Sequence, residues 1–217
     1  MMVTSVASST IQVRSLATQP YAATRDAMIA FTRTRDEATP DEIWLLQHEP
    51  VFTLGQASRA GHLHGATDIP VVQTERGGQI TYHGPGQLIA YLLIDLKRRG
   101  IKVREFVALI EQAVIEGLAA YNLKASTKSG APGVYVLLDD EWQKVAALGL
   151  KIVNGRSFHG LSLNVAMDLA PYASIDACGY PGLKTVDLKS LDIDAAVAPI
   201  GLELAAILIR RIEQASR

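Results

Sequence analysis

The sequence has little cysteine, little net charge and no long apolar run. Cys178 is the only cysteine among 217 residues, so no intramolecular disulfide is possible and a reducing compartment is expected. The 21 basic and 22 acidic residues nearly cancel, which leaves no overall field to attract nucleic acid or an anionic membrane. The longest obvious apolar run, residues 88–94, is far shorter than the roughly 20 residues that cross a bilayer.

The N-terminal residues also lack the features of a secretory signal. They contain scattered serines and threonines, but neither a basic start nor an apolar segment. The first acidic residue is Asp26, which keeps an organelle-targeting segment as an alternative. We expect a cytoplasmic protein that forms a single domain over residues 1–217, because the chain has no repeat and no linker-like tract.

The hydrophobic pattern changes repeatedly between the periods of strands and helices. We expect strands at residues 11–16, 43–46, 51–54, 88–94, 134–138, 144–153 and 158–165, and helices at residues 21–36, 102–122 and 200–213. Residues 139–141 and the pair Asn154-Gly155 are typical of hairpin turns. The pattern predicts an α/β domain: a mixed, largely antiparallel sheet with helices packed mainly on one face.

The second and third of these helices have apolar stripes that should face this sheet. The inward positions of the second are Val103, Phe106, Val107, Ile110, Val114 and Leu118, and those of the third are Leu202, Ala205, Leu208, Ile209 and Ile212. The basic cluster of Lys97, Arg98, Arg99, Lys102 and Arg104 is either a docking face for an acidic partner or an ordinary solvated helix start.

A glycine-rich stretch, residues 76–87 (RGGQITYHGPGQ), has no role in building a core. Its four glycines mark places where the backbone comes close to another group. Ile80 and Tyr82 suggest a short strand, which would put Gln79, Thr81 and His83 on its other face. The alternative is a glycine-rich hairpin that only turns the chain, with His83 as a hydrogen-bonded bystander.

Cys178 lies in the sequence DACGYPG, which is typical of a loop. A lone cysteine is either a small buried apolar side chain or a nucleophile, and a nucleophile needs a nearby cation or base to form the thiolate. His83, Lys144 and His159 are the candidates. Lys144 leads into a strand with few polar positions, where a lysine is unusual. We assign no metal site, because the histidine pair at residues 62 and 64 has no third ligand nearby in the sequence.

Five segments in order carry a family resemblance: residues 43–56, RGGQITYHGPGQL at 76–88, GVYV with KVAALG at 133–149, FHGLSLNV at 158–165 and ACGYPG at 177–182. Together they resemble the signature blocks of the lipoyl(octanoyl) transferases. The similarity covers roughly residues 43–188, and several blocks in order are far more specific than one. Ala177 stands where the family commonly has proline, a change expected to affect loop stiffness more than chemistry.

The resemblance implies the fold of the biotin and lipoate protein ligases' catalytic domain. It implies an enzyme that moves an octanoyl group from octanoyl-acyl carrier protein to a specific lysine of lipoyl domains, the first step of endogenous protein lipoylation. The acceptors would be the E2 subunits of 2-oxoacid dehydrogenases and the glycine cleavage H protein. No cofactor, nucleic acid or membrane is implied.

The resemblance also implies roles for individual residues. Cys178 would carry the acyl group as a thioester and Lys144 would activate it, with His159 in support. The acyl substrate would be lined by Arg76, Gly77, Gly78, Gln79, Ile80, Thr81, Tyr82, His83, Ala147, Leu148, Gly149, Gly160, Leu161 and Ser162. The sequence does not decide whether Lys144 or His83 is the base that deprotonates the acceptor amine, or which groups donate hydrogen bonds to the oxyanion. The rival hypotheses are an ATP-dependent ligase on the same scaffold and a non-catalytic acyl-binding module.

Overall fold

The computed structural model describes residues 11–59, 61–176 and 182–217. Its elements, in chain order, are β1 (Gln12–Gln19), α1 (Tyr21–Thr34), β2 (Glu42–His48), β3 (Val51–Leu54), β4 (Val71–Gln73), β5 (Ile80–His83), β6 (Gln87–Leu93), α2 (Leu96–Arg99), α3 (Val103–Ala119), β7 (Ala125–Lys128), β8 (Ala131–Leu138), β9 (Glu141–Val153), β10 (Arg156–Asn164) and α4 (Val197–Ala215). Every strand and helix expected from the sequence is present, with shifted ends.

A seven-stranded sheet runs in the order β1-β2-β6-β10-β9-β8-β7. Only the β1–β2 pair is parallel, which confirms the expected largely antiparallel sheet. All seven residues of β6 are buried, because this strand is covered on both faces. The two predicted hairpin turns are also present, with positive φ angles at Asp139 and Asp140 and at Asn154 and Gly155.

A smaller sheet, in the order β4-β3-β5, packs against the larger one. The turn at residues 84–86 carries the chain from β5 in the small sheet to β6 in the large sheet, so the alternative of a simple hairpin is wrong. Gly86 has a φ of +86°, and a Cβ atom there would lie 1.9 Å from the carbonyl oxygen of Ala166. Only glycine fits where the two sheets meet.

The helices cover both faces of the large sheet. Helices α3 and α4 pack together over one face and bury Phe106, Ile110, Leu204 and Leu208. Helix α1 covers the other face, where Met28 packs in a separate cluster with strands β2, β6 and β10. The expectation that the helices lie mainly on one face is therefore confirmed, with α1 as the helix on the other face. Within the described ranges, no helix is long and apolar enough to cross a membrane.

Two predicted inward positions are wrong, and a third, Val107, is only half-buried. Leu202 is 55% exposed, because α4 buries Ile200, Leu204 and Leu208 in steps of four and residue 202 lies on the far side of that stripe. Val103, the first residue of α3, is 46% exposed. It lies beyond the core and beside a groove described below.

The basic cluster after β6 is partly structural. The buried carboxylate of Asp41 binds the guanidinium groups of Arg35 at 2.5 Å, Arg98 at 2.8 Å and Arg99 at 2.5 Å. Burial alone would raise the pKa of Asp41, but the backbone N–H of Asp95 and the guanidinium groups of Arg35 and Arg99 hold it below its ordinary value. Arg98 and Arg99 therefore tie the ends of β2 and β6 together, and the side chain of Arg99 is buried. The docking of an acidic partner on the basic cluster stays a prediction.

Candidate active site

A pocket of about 530 Å³, open to solvent, lies between the two sheets. It is lined by Tyr21, Arg76, Gly78, Gln79, Ile80, Thr81, His83, Ile89, Tyr91, Ala147, Leu148, Gly149, His159, Gly160, Leu161 and Ser162. All the predicted substrate-lining residues except Gly77 and Tyr82 are in this set. Gly77 lines a neighbouring groove, and the Tyr82 ring packs at 5.5 Å against Phe52 in a separate apolar cluster.

The glycine-rich loop and the pocket residues of β9 and β10 meet because of the register of the strands. On β9 and β10, Gly160 is paired with Gly149 and Ser162 with Ala147. The glycine-rich loop then covers β9, where the N–H of Gly77 donates to the carbonyl of Leu150 at 2.8 Å. A Cβ at Gly160 would lie 2.0 Å from the carbonyl oxygen of Ala90, so this position needs glycine for close strand approach.

Arg76 holds the glycine-rich loop in place. Its side chain is buried and donates to the carbonyl of Thr53 at 2.6 Å, to the hydroxyl of Thr53 at 2.8 and 3.2 Å, and to the carbonyl of Gly77 at 3.0 Å. These contacts join the start of the loop to strand β3 of the small sheet. Arg76 therefore shapes the pocket wall through the backbone.

A β-bulge decides the direction of Lys144. Val134 is paired with Ala146 and Tyr135 with Lys144, so Val145 is an extra residue on β9. The extra residue reverses the alternation of side chains. Val145 and Ala146 join the core beneath α3 and α4, whereas Lys144 emerges with Tyr135 on the opposite face of the sheet.

The Lys144 side chain is buried and runs along β8. It is 3% exposed, and its Nζ donates to the carbonyl of Pro132 at 2.8 Å and lies 5.3 Å from the centre of the Tyr135 ring. A Cβ at Gly133 would lie 2.4 Å from Cε of Lys144, so this glycine makes the channel for the side chain. Since strand register places Val134 opposite Ala146, Nζ beside Pro132 lies near the Leu148 end of the pocket.

The segment that follows the predicted nucleophile also reaches Lys144. The N–H of Lys144 donates to the carbonyl of Lys184 at 2.9 Å, and the N–H of Val186 donates to the carbonyl of Lys144 at 3.0 Å. Cys178 itself lies outside the described residues. Its role as a nucleophile stays a prediction.

Two neutral histidines lie at the pocket: His83 lines it, and His48 packs against His83 with ring centres 6.0 Å apart. The Nδ1 of His83 is 2.7 Å from the amide oxygen of Gln87, so Nδ1 carries the proton. His48 uses Nδ1 to donate to the carbonyl of Gln19 at 2.9 Å and Nε2 to accept from the Tyr91 hydroxyl at 2.6 Å. Burial lowers the pKa of His83 to about 3 and that of His48 to about 4.

His159 reaches the pocket through an unusual backbone conformation. Its φ of +60° lies in the left-handed region, which histidine adopts more readily than most residues. Its Nε2 is 2.9 Å from the Glu75 carboxylate, which also binds Arg25 at 2.7 Å. Burial of Glu75 opposes ionisation, but the hydrogen bonds from His159 and Arg25 hold its pKa at about 2. Burial lowers the pKa of His159.

Sequence reasoning missed Tyr21, Ile89 and Tyr91 as pocket residues. Tyr21 begins α1 and stacks on His83 with ring centres 6.3 Å apart. Tyr91 lies in the buried strand β6, where a polar-tipped side chain among aliphatic ones was the available signal. The pocket thus combines small and aliphatic walls with uncharged polar groups and the guanidinium of Arg76, which is bound to Thr53 and Gly77. This arrangement suits an apolar chain with a polar end.

Solved structures of lipoate and biotin protein ligases share this fold. A bipartite lipoate protein ligase from Thermoplasma acidophilum has a TM-score of 0.70 at 15% identity, and the match covers 95% of this chain and 84% of the other. A biotin protein ligase from Aquifex aeolicus has a TM-score of 0.55 at 11% identity, covering 95% of this chain and 70% of that one. The protein therefore has the fold of the lipoate and biotin ligase catalytic domains, as the resemblance implied.

Within this fold class, sequence similarity identifies the family of the chain. The family model of the lipoyl protein ligase A/B catalytic domain matches residues 20–204. An octanoyltransferase from Aromatoleum aromaticum is 58% identical over 198 residues, which are 91% of this chain and 84% of the relative. The chain belongs to this family, among its octanoyltransferases, and is an acyltransferase.

Proposed function

We propose that the protein transfers an octanoyl group from octanoyl-acyl carrier protein to a specific lysine of lipoyl domains, in the cytoplasm and without a cofactor. The acceptors would be the lipoyl domains of 2-oxoacid dehydrogenase E2 subunits and the glycine cleavage H protein. The observation that carries the proposal is the convergence of Gly78–Thr81 and His83 with Ala147–Gly149 and Gly160–Ser162 on one pocket beside the buried Lys144. The names of the related octanoyltransferases support the choice of acyl group.

The pocket suits a medium-length acyl chain. Ala147, Gly149 and Gly160 leave space where larger side chains would fill it, and burial of each methylene contributes about 0.8 kcal/mol. An octanoyl chain would therefore gain on the order of 5 kcal/mol on entering the pocket. The ordering of the chain reduces this gain.

In the first half of the proposed reaction, the Cys178 thiolate attacks the thioester carbon of the donor. A bond forms between the sulfur of Cys178 and the acyl carbon, the tetrahedral oxyanion collapses, and the carrier thiolate leaves. Lys144 as an ammonium stabilises the Cys178 thiolate and protonates the departing thiolate. One thioester replaces another, so the step is nearly isoenergetic and needs no ATP.

In the second half, the neutral ε-amine of the acceptor lysine attacks the acyl-enzyme. The C–N bond forms, the C–S bond to Cys178 breaks, and the amine proton passes to a base. Lys144, deprotonated after the first step, is our choice for this base. His83 is a weak base at neutral pH, because burial lowers its pKa to about 3.

The test is intact-mass measurement after incubation with octanoyl-acyl carrier protein. We expect the wild-type protein to gain one octanoyl group, to lose it when a lipoyl domain is added, and to gain none in the Cys178→Ser variant. A non-catalytic binding module would gain no covalent group. Transfer from free octanoate that requires ATP would instead identify a ligase.

A further inference from the structure

A second groove of about 930 Å³, open to solvent, adjoins the acyl pocket. It lies between the start of α3, the start of β8 and strand β9. Its apolar wall is formed by Val103, Val107, Ala131, Pro132, Leu150 and Ile152. The exposure of Val103, which contradicts the core position expected from sequence, follows from its place on this wall.

The groove joins the acyl pocket beside Lys144. Gly78, Gln79, Leu148 and Gly149 line both spaces. The carbonyl of Pro132, on the groove wall, accepts the hydrogen bond from Nζ of Lys144. A molecule lying along the groove would therefore bring one end to the proposed reaction centre, while its acyl chain occupied the pocket.

Gln79 supplies an unused hydrogen-bond acceptor at this junction. Its Oε1 atom is buried, and none of the described residues donates to it. A buried acceptor without a donor costs about 1–3 kcal/mol. An N–H group of a bound molecule at the junction would remove that cost.

We propose that this groove binds the phosphopantetheine arm of the donor, an inference that rests on the proposed function. The arm is a flexible chain of methylenes and neutral amides, and its first amide N–H is two carbons from the thioester sulfur. That N–H pairs with Oε1 of Gln79 when the thioester carbonyl lies beside Lys144. The uncharged groove wall takes the rest of the arm.

The charge at the outer end of the groove fits the phosphodiester of the arm. Lys102 and Arg104 are exposed on either side of Val103. Helix α3 begins at this end of the groove without a side-chain cap from Lys102, and the acidic residue of its first turn, Glu105, is paired with Arg217 at 3.2 Å. The other substrate, a lysine side chain, fits less well, because an ammonium would pass basic residues and then lose its hydration along an uncharged wall.

The first test places a negative charge at the outer end of the groove. In Val103→Glu, we expect the KM for octanoyl-acyl carrier protein and for octanoyl-phosphopantetheine to rise about tenfold. The KM for octanoyl-N-acetylcysteamine, which ends before the phosphate, should stay within about twofold. Leu202→Glu is the matched control, since Leu202 is an exposed leucine on α4 outside both the pocket and the groove.

The second test removes the acceptor at the junction. Gln79→Met keeps the side-chain length but loses Oε1. We expect the ratio of kcat/KM for octanoyl-N-acetylcysteamine to kcat/KM for S-ethyl octanethioate, which has no amide, to fall about tenfold. An unchanged ratio would contradict a hydrogen bond between Gln79 and the arm.

Two outcomes would overturn the groove assignment. If Val103→Glu raises the KM for the lipoyl domain and leaves donor kinetics unchanged, the groove receives the acceptor. If neither KM changes, the groove binds neither substrate. A failure of the proposed function is distinguishable, because the wild-type protein would then accept no octanoyl group from any of these thioesters.

Discussion

Replacing Lys144 by methionine tests the proposed chemistry against a purely structural role. The substitution keeps a long unbranched side chain in the channel beside Gly133 but removes Nζ. The carbonyl of Pro132 then loses a donor at 2.8 Å, a loss of about 1–3 kcal/mol. The burial cost of the ammonium disappears at the same time, so we expect a net change in the free energy of unfolding below about 2 kcal/mol.

That change corresponds to a shift in Tm of at most about 8 °C for a chain of this size. Loss of proton transfer should lower kcat about 10²- to 10⁴-fold. The assay pairs thermal unfolding with octanoyl transfer to a lipoyl domain, followed by intact mass. Lys184→Met is the control, because Lys184 is exposed and pairs with Glu141, and it should keep wild-type rates. Near-normal transfer by Lys144→Met in a folded protein would refute the assignment.

Three other predictions concern the scaffold. Gly160→Ala would place a Cβ 2.0 Å from the Ala90 carbonyl oxygen, so we expect urea unfolding to show a destabilisation of more than about 2 kcal/mol. Gly117→Ala is the control, because its nearest neighbour is at 3.6 Å, and it should be neutral or stabilising. Asp41→Asn leaves buried guanidinium groups without a carboxylate and should lower the free energy of unfolding by about 3–5 kcal/mol; a change below about 1 kcal/mol would contradict this account. His48 has a folded-state pKa of about 4 against 6.5 when unfolded, so its neutral form contributes stability that is complete above pH 6.5 and is lost as the pH falls towards 4. A urea midpoint that falls over this range less steeply in His48→Gln than in the wild type would confirm the sign.

The sequence was most informative where backbone geometry allows only one residue type. The glycine-rich stretch at residues 76–87 was expected to come close to another group, and it does: Cβ atoms at Gly77 and Gly86 would lie 3.3 Å and 1.9 Å from the carbonyl oxygens of Leu150 and Ala166. Asn154-Gly155 predicted a hairpin correctly, because few residue pairs accept two successive positive φ angles.

The sequence was least informative where the backbone conformation at one residue changes the direction in which side chains point. Nothing in KVAALG indicates that Val145 is an extra residue, yet the bulge turns Lys144 away from the core formed by Val145 and Ala146. His159 reaches the pocket face through its positive φ angle, which alternation along the strand does not predict. A bulge depends on how a strand pairs with its neighbouring strand, so the local sequence pattern alone does not locate it.

By itself, the sequence determined the fold class, the order of most strands and of the three long helices, and the glycine-marked segments of the pocket, because these depend on local periodicity and on which residues tolerate special backbone angles. It did not indicate the short elements β4, β7 and α2. Only the tertiary structure decided that β5 and β6 belong to different sheets, that Arg98 and Arg99 turn inward to Asp41, and that a second groove meets the pocket beside Lys144. These features depend on contacts between residues far apart in the chain, and a local pattern carries no information about such contacts.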